Sequence, residues 1–322
     1  MVGQRLVWAP TGYLPGVTVA LAVDVGGTKL DVGVVTDDGV ILHRSRRPTP
    51  QDEDAEGLFD TLVDLVAEVR GDASAAGVDV CGVGCGGPMT GHGELVSPLN
   101  IGAWRSFPLR QRLAEVTGLP THVDNDAKAF ALAEGWKGAA AGCTDFIAMV
   151  VSTGVGGGIV LDGRLLDGAE GNAGHIGHLV VVPGGRSHAG IAGSLEAEAS
   201  GTAVAALTAA PAAEADLGWR SRTGTLVGRA VGGVANLLDL RLAVVAGSVA
   251  LGYGEDFFSA AQAECDRVAR LDFSAGTRIV PAGLGADGPL IGAAAVALRS
   301  QGATLGAIAP PTPRPGPQGM WS

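Results

Sequence analysis

Three short segments of this 322-residue chain carry the turns and side chains that chemistry needs. Asp24-Val25-Gly26-Gly27-Thr28-Lys29 lies between the apolar runs VTVALAV and LDVGVV. Ser152-Thr153-Gly154-Val155-Gly156-Gly157-Gly158 lies between DFIAMVV and IVLDG. Glycine lets a backbone come close to a ligand and turn its amides toward it. Two such turns, one in each half, suggest a clamp on one polyphosphate. Asp124-Asn125-Asp126 supplies carboxylates between them. Together they point to phosphoryl transfer. Asp24 would work through Mg²⁺, directly or through water, while the Gly26, Gly27 and Thr28 amides meet phosphate oxygens. Asp126 would accept the proton of an attacking hydroxyl, and Asn125 beside it would hold neighbouring hydroxyls.

Each segment also has a plain structural reading. A Gly-Gly turn is a common hairpin, and an Asp-Asn-Asp run is a good helix cap. The second turn imitates a dinucleotide fingerprint, but Ile159-Val160-Leu161 continues as strand where that motif needs a helix. Gly82–Gly87 imitates it too and runs into Pro88. A nicotinamide enzyme is therefore disfavoured. His175 and His178, three apart, are too few for a zinc site, which needs four ligands or three and a water.

The elements that must position these segments follow from periodicity. Strands are expected at 18–25, 30–36 and 39–46, then a helix at 53–70, where Leu58, Leu62, Leu65, Val66 and Val69 form a stripe. A strand at 78–85, a helix at 109–117, a short strand at 121–123 and a helix at 126–136 complete the first half. A comparable pattern restarts at 145. Strand, glycine turn and strand are followed by helices at 194–208 and 223–240, a strand at 241–246, a helix at 255–270, a strand at 277–282 and a final helix at 288–300. This is a weak internal duplication. The expected divisions are an extension at 1–17, a small α/β domain at 18–124 with the 288–300 helix packed back on it, a large α/β domain at 125–287, and a proline-rich tail at 309–322.

Composition excludes other classes. Lys and Arg total 22 against 33 Asp and Glu, a net charge of -11. Such a chain is a poor partner for nucleic acid or anionic membranes. No stretch reaches the ~20 apolar residues of a membrane span, and the start lacks a signal pattern, so a cytoplasmic protein is expected. Cys81, Cys85, Cys143 and Cys265 show no disulfide framework and are expected as buried thiols.

Six segments, in this order, resemble the ROK family of repressors and sugar kinases, within the actin-like ATPases and hexokinase-like kinases. They are LAVDVGGTKLDVGVV, GVGCGGPMTGHGELVSPLNIGAWRSFPL, VDNDAKAFALAEGWKGA, STGVGGGIVLDGRLLDGAEGNAGHIGHLVV, SLEAEASG and LGADGPLIGAAAVAL. The resemblance implies two ribonuclease-H-like domains with ATP and sugar between them, and a homodimer or tetramer. It places Asp24 and Gly26–Lys29 in the first phosphate motif, and Thr153, Gly154 and Gly156 in the second. Ala246-Gly247-Ser248 takes the adenosine motif, with less glycine than usual. Asp126 takes the catalytic base, and Gly87, Asn100, Asn125, His178 and Glu196 take sugar-contacting positions.

The chain departs from the family twice. The segment from Pro183 to Glu196 lacks the cysteines of the family's zinc loop, so no structural zinc is expected. His175 stands where glucose-phosphorylating members usually carry glutamate; a bidentate acceptor is replaced by a ring that can donate. The expected reaction is ATP- and Mg²⁺-dependent phosphorylation of the 6-hydroxyl of glucose or of an amino or N-acylamino hexose such as N-acetylmannosamine. The alternative is a non-catalytic sugar-binding or regulatory member. The segment before the first strand, with Pro10, Gly12, Pro15 and Gly16, is not expected to hold the helix-turn-helix of the repressor members.

Overall fold

The computed structural model describes residues 18–310; the expectations on 1–17 and on the tail from 311 onward lie outside the described residues. Contacts divide these residues into two units. The first comprises 18–126, 170–172 and 289–298; the second comprises 127–169, 173–288 and 299–310.

In the first unit Val19–Val25 (β1) is buried along its whole length. A strand buried on both faces reads as an unbroken apolar run, and VALAVDV is one apart from Asp24. Lys29–Thr36 (β2) and Ile41–Pro48 (β3) follow as an antiparallel meander. Val78–Cys85 (β4) and Thr121–Asn125 (β5) add in parallel on the other side. The sheet order is β3-β2-β1-β4-β5. Ala55–Arg70 (α1) is capped by Asp54, which accepts from the Glu56 and Gly57 amides, and buries the predicted leucine and valine stripe. Leu109–Thr117 (α2) ends at Gly118, whose φ of 69° is left-handed. The stretch 289–298 of the last helix rides directly on β4. A Cβ on Gly82 would lie 2.0 Å from the Ala293 carbonyl oxygen, so only glycine admits that approach.

The second unit repeats the plan. Phe146–Val151 (β6), Val155–Leu161 (β7) and Arg164–Leu165 (β8) form the antiparallel part. Leu242–Ala246 (β9) and Arg278–Pro281 (β10) add in parallel, giving the order β8-β7-β6-β9-β10. The helices are Asp126–Lys137 (α3), Leu195–Ala199 (α4), Gly201–Thr208 (α5), Leu217–Leu238 (α6), Ser248–Tyr253 (α7), Glu255–Val268 (α8) and Gly288–Ser300 (α9), the last shared with the first unit.

Several elements differ from the sequence reading. The strand read at 121–123 runs on through Asp124 and Asn125, because both are in ladder register with Gly84 and Cys85 of β4. The helix read at 194–208 breaks at Ser200, whose hydroxyl caps α5 by accepting from the Ala203 amide at 3.1 Å. Helix α6 begins at Leu217, six residues before the expected 223, because Asp216 caps it. Helix α7 was not foreseen. Ala309, read as tail, donates its amide to the Gly163 carbonyl at 2.7 Å. Cys81, Cys85 and Cys265 are buried free thiols and Cys143 is half-buried; burial pushes the Cys81 thiol up to about 12. Among the described residues no helix is long and apolar enough to cross a membrane.

Candidate active site

In the first unit the parallel strands bring three segments to one sheet edge. Asp24 pairs with Gly84, and Gly84 pairs with Asp124, in adjacent strands. The chain leaves those strands at the Gly26-Gly27 turn, at Gly86-Gly87 and at Asn125-Asp126. The carboxyl edge of such a sheet is where open α/β folds bind ligands. Asp24 is only 6% exposed. Burial pushes its carboxyl up to about 7; repulsion from Asp126 adds to the rise, and Lys29 opposes it. Across the hairpin sits Asp31, fully buried and held by Arg44 Nε at 2.8 Å and Arg46 Nη2 at 2.9 Å.

The first glycine turn is braced from one side. Thr49 Oγ1 donates to the Gly26 carbonyl at 2.7 Å, and Gln51 Nε2 donates to the Gly27 carbonyl at 2.9 Å. In a trans peptide the N–H points opposite to the preceding C=O. Fixing these two carbonyls therefore aims the Gly27 and Thr28 amides to the other side. The Gly26 amide is a correction to the sequence reading: it donates to the Lys29 carbonyl at 3.0 Å and closes the hairpin, so it is not offered to a phosphate. Asn100 lies in a niche between two glycine turns. A Cβ on Gly27 would fall 2.8 Å from its Nδ2, and one on Gly86 would fall 3.1 Å from its Oδ1. The Leu99 amide holds this loop to the Gly87 carbonyl at 3.1 Å. Asn172 pins the neighbouring Met89 through both backbone groups, at 3.0 and 2.8 Å.

The second unit uses the same device. Ser152 and Thr153 present their carbonyls to the start of α5: the Gly201 amide reaches Ser152 at 2.7 Å, and Thr202 Oγ1 reaches Thr153 at 2.9 Å. The Thr153 and Gly154 amides consequently face away from α5. Gly156, read from sequence as part of the phosphate turn, belongs to β7, where it pairs with Val150. Its missing side chain makes room for α3: a Cβ there would lie 3.1 Å from that of Ala127, and one on Gly158 would lie 2.7 Å from that of Ala131. The two amides of the motif that this bracing turns away from α5 are those of Thr153 and Gly154.

Beside this turn lies a pocket of about 390 Å³, lined by Thr153, Thr202, Ala205, Ser248, Val249 and Tyr253 among others. Gly247, with φ 102°, turns the chain from β9 into α7, and Ser248 Oγ meets Ser152 Oγ at 2.9 Å. Small side chains and an aromatic wall suit a flat heterocycle. The Tyr253 hydroxyl donates to the Ala212 carbonyl at 2.7 Å, fixing that wall.

His175 and His178 flank a 3-10 turn, Ile176–His178, rather than lying on an α-helix. Their rings meet edge to face at 5.6 Å. Burial holds the His175 imidazole below its ordinary pKa; His178 lowers it further and Glu196 opposes. His178 Nδ1 is buried with no hydrogen-bond partner. Glu196 accepts the Val155 amide on Oε2 at 2.7 Å. Its other oxygen lies 2.7 Å from His188 Nε2. Sequence reading passed over His188 because a lone histidine in a glycine-rich loop carries no spacing signal; the pairing exists only through the hairpin of Ser187–His188 with Ile191–Ala192. Lys128 was missed as well: it is 2% exposed and holds Asp167 at 2.9 Å, at the start of the loop that leads to His175. Among the described residues no group of three or more His, Cys, Asp or Glu is arranged to hold a metal ion.

A duplicated five-stranded α/β plan with a braced glycine turn in each half defines an actin-like ATPase fold. Residues 20–300 match the ROK family, and the chain belongs to it. An N-acetylmannosamine kinase of Escherichia fergusonii is 36% identical over 250 residues, 73% of this chain and 84% of that protein. A glucokinase of Halalkalibacterium halodurans is 38% identical over 190 residues; the alignment covers 58% of this chain and 57% of that protein, under two thirds of its length. The crystal structure of a ROK family glucokinase from Streptomyces griseus, in complex with glucose and AMPPNP, matches with a TM-score of 0.74 at 29% identity, over 88% of this chain and 99% of that one.

Proposed function

We propose that the protein transfers the terminal phosphoryl group of ATP to the 6-hydroxyl of a hexose or modified hexose. The observation that carries this reading is the register that lines up Asp24, Gly84 and Asp124 across three adjacent strands, so that the segments following them leave the sheet at one edge. Membership of the ROK family supports it, as do the kinase names of the two relatives and the AMPPNP and glucose bound to the Streptomyces griseus protein.

Phosphoryl transfer asks a protein mainly for positioning and charge stabilisation. The Gly27 and Thr28 amides and the Thr153 and Gly154 amides would bind phosphate oxygens, with Lys29 near the first pair. Gly247 and Ser248 would border the nucleoside. Asp24 fits Mg²⁺: it is a buried carboxylate whose ionisation is costly until a cation joins it. Mg²⁺ there would neutralise phosphate charge. Asp126, the first residue of α3, would take the hydroxyl proton as the nucleophile attacks.

Asn100, Asn125, His175, His178, Glu196 and Gly87 would hold the acceptor. His175 is held toward its neutral form by burial, and a neutral imidazole offers one donor and one acceptor. That suits a substrate differing from glucose at carbon 2 or 3, such as N-acetylmannosamine or an aminoglucose. The test is a coupled ADP-release screen over glucose, mannose, N-acetylmannosamine, N-acetylglucosamine and aminoglucoses. Sugar-dependent turnover with at least one is expected; silence across the panel would favour a sugar-binding protein without catalysis.

A further inference from the structure

The Glu196 carboxylate is held on two sides by different parts of the second unit. Oε2 is fixed by the Val155 amide, directly after the Thr153-Gly154 turn. Oε1 faces His188 at 2.7 Å. A carboxylate with one oxygen pinned still swings about that bond, and an ordered neighbour removes the freedom. The His188 nitrogen is close but off the N–H axis, since it makes no aligned hydrogen bond. The ring therefore restrains the carboxylate by close polar contact rather than by an aligned hydrogen bond. His188 reaches this position because Ser187 and His188 pair with Ala192 and Ile191 in a two-stranded hairpin that returns the chain toward α4.

We propose that His188 is a positioning residue that holds Oε1 of Glu196 in the orientation from which it meets the acceptor sugar. The proposal rests on the reading of Glu196 as a sugar contact. A second observation places a ligand on this side: His178, whose ring is centred 6.2 Å from that of His188, carries the buried Nδ1 that lacks a partner, and a sugar hydroxyl would satisfy it. The titratable groups facing His188 are Glu196 on α4 and His178 on the 3-10 turn. Glu198, the other acid of α4, is turned instead to Arg222 and to the Arg186 amide.

Two measurements decide it. In ¹⁵N-edited imidazole spectra of the full-length protein, Glu196→Gln should move the ring ¹⁵N and ¹H resonances of His188, because it changes the group 2.7 Å from Nε2; unmoved resonances overturn the tether whatever the enzyme does. In steady-state kinetics with the best acceptor of the sugar panel, His188→Ala should raise the KM for sugar about tenfold, the size of one lost polar contact. The KM for ATP should stay within about twofold. His188→Gln, a donor of similar reach, should recover part of that loss. A sugar KM unmoved in His188→Ala overturns the proposal, as does an equal shift in both KM values. If Glu196→Gln shifts the His188 ring and leaves the sugar KM unchanged, the tether stands and it is the sugar role of Glu196 that fails.

Discussion

The side chain of Asn100 occupies the space that a side chain on Gly27 would need: a Cβ there would sit 2.8 Å from Nδ2 and 2.9 Å from Cγ. Gly27 is not at positive φ, so its lack of a side chain serves this contact rather than the turn. Gly27→Ala should thus fold normally and displace Asn100. We expect kcat/KM for sugar to fall about 10- to 100-fold, in line with a misplaced substrate-holding group, with a melting temperature close to that of the native chain. Unchanged kinetics would mean that Asn100 does not touch the acceptor.

Asp126→Asn removes the proton acceptor and keeps the shape. Turnover should drop by roughly 10²- to 10⁴-fold, the usual worth of a general base. Sugar affinity, read by calorimetry, should stay within a few-fold. Near-normal turnover would take Asp126 out of the base role.

Asp24 carries a pH signature. Its carboxyl in the folded protein titrates at about 7 against an ordinary value of 3.8. Between these values the folded chain holds more protons than the unfolded one, so without cation its contribution to stability falls as pH rises from about 4 to about 7 and is flat above. Mg²⁺ needs the ionised form. Thermal stabilisation by Mg²⁺ with an ATP analogue should therefore be larger at pH 8 than at pH 6, and Asp24→Asn should abolish the difference. Equal stabilisation at both pH values would refute the assignment.

Glu134 is fully buried on α3 and accepts three backbone amides: Ala139 at 2.7 Å, Gly283 at 3.0 Å and Leu284 at 3.1 Å. In Glu134→Gln the new NH₂ group would face donors with a donor. A loss of about 2–3 kcal/mol is expected, seen as a lower denaturation midpoint. Glu134→Ala, which leaves those amides without an acceptor, should cost at least as much. A midpoint within error of the native chain in both variants would show that water replaces the carboxylate at no cost.

The glycine turns and the strands around them were legible because β1 and β6 are buried on both faces and so read as long apolar runs. Helix α1 was legible through its stripe and its Asp54 cap. Ladder partners decided what local pattern could not: Asp124 and Asn125 look like a cap but are strand, held by β4. The closeness of α3 to Gly156 was not legible, because glycine that admits a ligand and glycine that admits a helix read identically in sequence. His188 was silent for a different reason: its significance is a tertiary contact with Glu196, eight residues on, made through a hairpin too short to show alternation. Lys128 sat inside an alanine-rich helix, where a lysine normally marks solvent.

The shared strand order sets β4 in one sheet against β9 in the other. Each runs straight into a glycine: Gly86 beside Asn100, and Gly247 where the chain enters α7. The same corner is thereby built twice from glycine, once against an asparagine side chain and once against the start of a short helix.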